Sequence, residues 1–106
     1  MKGMAGGMAG LMKQANQMQM KMKKLQEELG TREFSGTSGG GAVTAKVNGD
    51  NKVLSLVINP EVVKSDDIEM LQDLVTSAVN DALKVAKETS SQEMSKITGG
   101  INLPGF

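Results

Sequence analysis

The sequence predicts an α+β fold: a helix, a three-stranded antiparallel β-meander, a short helical turn and a second long helix. Three observations predict it. Apolar residues in the opening third recur at helical spacing. The middle third carries short alternating runs separated by glycine. The last third opens on a proline and acidic caps ahead of a broad apolar stripe. At 106 residues the chain has the length of one domain, read as residues 1–98 with a tail at 99–106.

The first helix rests on Met8, Leu11, Ala15, Met18, Met22, Leu25 and Leu29, an unbroken heptad seam. Gly30 is expected to stop it. Gly3, Gly6, Gly7 and Gly10 each cost about 1 kcal/mol in a helix, so residues 1–9 are expected to fray. Strand candidates follow at Thr31–Thr37, Ala42–Asn48 and Lys52–Ile58, connected by the glycine run Gly39–Gly41 and the turn around Gly49. The third strand is apolar on both faces, with Leu54, Leu56 and Ile58 on one and Val53 and Val57 on the other. Such a strand needs two covers. Together with the seam positions Leu11, Met18, Met22 and Leu25, it is assigned to core or dimer packing. Pro60 opens a short helical turn. Asp66, with Glu69 three residues on, is expected to cap the second long helix. Its stripe runs from Ile68 to Ala86 and is wide enough to meet a sheet and another helix together.

Twelve basic residues balance twelve acidic ones, so net charge points to no partner. Their distribution does. Residues 1–24 carry five lysines and no acid, whereas residues 60–81 carry six acids and one lysine. The absence of Cys and His removes disulfides, thiolate and imidazole chemistry and zinc sites. No spacing of Lys, Asp, Glu and Ser implies a nucleophile and its base, so no catalytic residue is assigned and the chain reads as a non-enzyme. No cofactor or small-molecule substrate is implied, and no apolar run approaches a membrane span.

The stretch Met12–Leu29 holds four of the nine methionines. Met18, Met20 and Met22 resemble a copper box, but on a helix residues two apart point to different sides. Packing explains Met18 and Met22, leaving Met20 outside. Asp66, Glu69 and Asp73 share a face that suits Mg²⁺, but also suits a helix N-terminus; the second is preferred and no metal site is assigned. Gly39–Gly41 leads into a strand rather than a helix, so it is no phosphate loop. Lys13, Lys23 and Lys24 lie opposite the seam with Lys21 at its flank, which is either a solvated face or a track of donors for phosphates. With one arginine and neither Trp nor Tyr, base reading would be poor.

The order of these features resembles the YbaB/EbfC family of bacterial nucleoid-associated proteins. The likeness is carried by LMKQANQMQMKMKKLQEEL, the VINPEVV step, DDIEMLQDLVTSAVNDAL and the closing GGINLPGF. It implies a tweezer-like homodimer whose helical arms project from a shared β core and bind double-stranded DNA in the cytoplasmic nucleoid, with roles in nucleoid organisation and gene expression. Carried onto this chain, it points to Lys13, Lys21, Lys23 and Lys24 on the first helix and Lys84 and Lys87 on the last. The expected partners are double-stranded DNA and a second copy of the chain, with no membrane. The alternative is a protein-interaction module whose arms grip another protein.

Overall fold

A computed structural model describes the backbone of residues 2–99 and the side chains of residues 7–99. The order is α1 (Lys2–Thr31), β1 (Glu33–Ser38), β2 (Val43–Asn48), β3 (Val53–Ile58), α2 (Pro60–Lys64) and α3 (Ile68–Thr98), the α+β architecture expected. The strands form one antiparallel sheet in the order β1-β2-β3. Apart from Gly99, the expected tail lies outside the described residues.

The turns carry the local chemistry. Gly39, Gly40 and Gly41 all take positive φ between β1 and β2, where a side chain would be strained. Between β2 and β3, Asn48 Oδ1 accepts from the N–H groups of Asp50 and Lys52. Asn59 caps α2 by accepting from the Glu61 N–H, with Pro60 in the first turn. The cap of α3 differs from expectation. Asp67, not Asp66, accepts from the Met70 N–H at 3.0 Å. Asp66 instead takes a left-handed φ of 61° that turns the chain from α2 into α3, a conformation that a short polar side chain tolerates. Two other boundaries move. β1 starts at Glu33 because helix α1 runs one residue past Gly30. Helical geometry also extends back to Lys2, through the stretch where fraying is expected. Adding residues to a formed helix avoids the nucleation cost, which offsets the glycine penalty.

The core is a sandwich of α3 on two strands. Val43, Ala45 and Val47 of β2 and Phe34 of β1 face Ala78, Ala82 and Ala86 of α3, all buried. The small residues on α3 matter because Gly36 lets the helix come close. A Cβ placed on Gly36 would stand 2.1 Å from the Ala82 nitrogen. α3 also seals the free edge of β1. Asp81 Oδ2 accepts from the Thr37 N–H at 3.0 Å, and Ser38 Oγ donates to the Leu74 carbonyl.

The cover ends there. Helix α3 lies over β1 and β2 but not β3, and of β3 only Ile58 packs against the core. Val53, Leu54, Leu56 and Val57, assigned from sequence to core or dimer packing, are 39–65 % exposed in the single chain. Among the described residues the strand is an edge with little cover on either face, and it contributes little to the core of the single chain.

Helix α1 departs from the sheet and runs antiparallel to the second half of α3. Its last turns hold the seam: Met22 and Leu29 are buried, and Met18 and Leu25 half-buried. The same seam is bare further out, where Ala15, Leu11 (67 %) and Met8 (65 %) are exposed. Within the single chain Ala15 and Leu11 stay exposed, although the last turn of α3 reaches Gln14 through Ile97. The result is a rod 77 Å long and 20 × 17 Å across, with a radius of gyration of 20.7 Å. A compact chain of this length would have about 13 Å.

Candidate nucleic-acid interface

Helical phase alone fixes which side of α1 carries charge. With Met22 and Leu29 turned to α3, Lys13, Lys23 and Lys24 fall on the opposite side, and all three are exposed. At 1.5 Å per residue, Lys13 and Lys24 stand about 16 Å apart along the axis. Asn16 and Gln17 supply exposed amides between them. Met20 sits in the middle of the track, 71 % exposed, and borders a shallow surface depression with Gln17, Lys21 and Lys24. The three methionines of the MxMxM run thus meet three settings: Met18 half-buried, Met20 in water and Met22 in the core. They do not converge on an ion.

The lysines are available. The described ion pairs are Lys46 with Glu33, Lys64 with Glu61 and Lys96 with Glu93, none of which uses a lysine of this set. The chain's one arginine, Arg32, stacks over the Phe34 ring at 5.6 Å, at the root of the arm rather than along it.

The six lysines singled out from sequence do not form one patch. Lys21 lies on the flank of α1 facing the end of α3, in a groove shared with Gln14, Gln17, Met18 and Ile97. Lys84 and Lys87 are exposed at the arm's root, Lys87 beside the Gly49 turn. Beyond Lys87, α3 carries Glu88 and Glu93 against Lys96, which Glu93 already pairs. The basic surface of the arm therefore belongs to α1. Sequence reading missed the groove with Ile97, since nothing in the periodicity of α1 tells where α3 will stop.

At the opposite end of the rod, α2 and the first turns of α3 expose Glu61, Asp66, Asp67, Glu69 and Asp73. The molecule is polar along its length, basic on the projecting arm and acidic beyond the sheet. A polyanion is attracted at one end and repelled at the other. Among the described residues no three carboxylates are grouped as a metal ion would require, and no helix is long and apolar enough to cross a membrane.

Comparison with known proteins follows the same lines. A model of the YbaB/EbfC DNA-binding family matches residues 4–101. A nucleoid-associated protein of Clostridium novyi is 55% identical over 106 residues, covering 98% of this chain and 93% of that protein. One of Clostridium acetobutylicum is 53% identical over 105 residues, covering 98% and 94%. The crystal structure of an uncharacterized protein from Helicobacter pylori superposes with a TM-score of 0.68 at 26% identity, covering 87% of this chain and 94% of that one.

Proposed function

The chain belongs to the YbaB/EbfC DNA-binding family, and from that premise we propose a non-enzymatic homodimer that holds double-stranded DNA by its phosphates, with low sequence specificity. The observation that carries the reading is the row of exposed lysines on the free side of a projecting helix, in a stretch that carries no acid up to Lys24. Lys13, Lys23 and Lys24 are its principal contacts, with Lys21 beside them and Lys84 and Lys87 at the root. Ammonium groups neutralise phosphates wherever they lie, so they bind without selecting a sequence. Base reading is disfavoured by shape as well as by composition. Where α1 packs on α3, around Lys23 and Lys24, two helices span roughly 20 Å, which exceeds the ~12 Å width of a major groove. The arm is suited to lie across the backbone instead.

Dimerisation is supported by β3. Among the described residues its outer edge has no partner strand and its apolar side chains have little cover. A second copy placed there would bury them and leave two arms pointing outward from a shared sheet. The names borne by the relatives support a place in the bacterial nucleoid, where such binding would organise DNA and thereby affect gene expression.

The test is a gel-shift titration with several unrelated duplexes of equal length at low salt. We expect affinities within a few-fold of one another. A preference of more than about tenfold, worth 1.4 kcal/mol, would remove the claim of low specificity. Failure to bind any duplex would favour a protein partner for the arms.

A further inference from the structure

The lysine track of α1 has an apolar centre. Met20 is 71 % exposed, more than any other large apolar side chain among the described residues. It lies off the seam, so a helix packed there would not cover it. Lys13, Gln17, Met20 and Lys24 follow one another at steps of four, three and four, which sets them in one row on the free side of the helix. Gln17, Lys21 and Lys24 border the same shallow depression as Met20. Along the axis Met20 stands about 10 Å from Lys13 and about 6 Å from Lys24. Phosphate binding by the two cations makes no use of a thioether between them.

We propose that Met20 enters the minor groove of the duplex while Lys13 and Lys24 hold the two phosphate backbones that border it. The proposal rests on the DNA reading of this face and adds which groove the face meets. The dimensions agree. A minor groove about 6 Å wide and 7.5 Å deep excludes a helix but admits one unbranched side chain. Lysines about 16 Å apart along the axis, on flexible stems, straddle such a groove. Methionine is flexible and makes no hydrogen-bonding demand, and it is among the apolar side chains that wedge into minor grooves. Asn16 and Gln17, exposed beside it, carry amides that suit the acceptors on the groove floor. The guanine amino group projects into this groove and obstructs the wedge, so duplexes without it are favoured by a few-fold, within the low specificity proposed above.

The test titrates the full chain, wild type and Met20→Ala, against two duplexes across a salt series. One is rich in G·C pairs. The other has the same sequence with inosine in place of guanine, which removes the minor-groove amino group and leaves the major-groove edge unchanged. Wild type should bind the inosine duplex about threefold or more tightly than the G·C duplex. Met20→Ala removes an exposed side chain and favours helix, so the fold should persist. It should bind the inosine duplex about threefold or more weakly than wild type, with the salt slope unchanged because no cation is lost. The preference between the two duplexes should also disappear. Wild type that binds both duplexes equally, or a Met20→Ala chain that binds like wild type, overturns the groove assignment and leaves phosphate binding standing. A wild type that binds neither duplex overturns the DNA reading and this proposal with it.

Discussion

A single absent methyl group sets the distance between helix and sheet. At Gly36 an added Cβ would meet backbone on two sides, 2.1 Å from the Ala82 nitrogen and 2.6 Å from the Ala78 oxygen. Backbone cannot rotate away as a side-chain end can, so the whole of α3 would have to rise. We predict that Gly36→Ala costs 3 kcal/mol or more, at or beyond the top of the usual ~1–3 kcal/mol for overpacking, read as a lower urea midpoint. Gly10 is the opposite case. It is exposed in α1 with nothing within 4 Å of an added Cβ. Gly10→Ala should stabilise by about 0.5–1 kcal/mol through helix propensity alone. If the two substitutions shifted stability in the same direction, the close approach at Gly36 would not be the constraint described. The Gly10 penalty follows from the sequence, as a glycine in a predicted helix, whereas the close approach at Gly36 depends on the fold and could not be read there.

Elements were legible where one chain segment contains its own signal. The 3.6 period placed both long helices, the glycine and Asn-Gly turns placed the strands, and Asn59-Pro60 placed α2. Boundaries set by backbone geometry were less legible: Asp66 and Asp67 are equally good caps by composition, and only the positive φ of Asp66 decides between them. What depends on a distant element was not legible at all. The seam of α1 reads as uniform, yet its burial stops where α3 stops. On the site, helical phase located Lys13, Lys23 and Lys24, whereas the pairing of Lys96 and the rootward place of Lys84 and Lys87 needed the fold. The contrast between β2 and β3 gives the prediction at this scale. Leu56 is 39 % exposed and Val47 fully buried in the single chain. Leu56→Lys should leave helix content unchanged by circular dichroism and convert a dimer to a monomer in sedimentation at micromolar concentration. Val47→Lys should unfold the chain, since it leaves a charge in the core. A wild-type protein that sediments as a folded monomer would show that β3 does not need a second copy.

At the scale of the whole molecule, shape and charge act together. A 77 Å rod with lysines along one arm and an acidic patch at the other end keeps Lys13 clear of that patch, while Lys23 shares a shallow depression with Glu27 and Asp50. With two copies, the three outer lysines offer about six phosphate contacts, which gives an expected slope of log affinity against log salt of roughly −5. Lys13→Gln, Lys23→Gln and Lys24→Gln together keep helix propensity nearly constant, so the fold should persist while the cations are removed. The decisive measurement is DNA affinity across a salt series for this triple variant beside the wild type. The account predicts weaker binding at low salt, by a similar factor for unrelated duplexes, and a flatter salt slope. A folded triple variant that binds as tightly as the wild type, with the same slope, would contradict it.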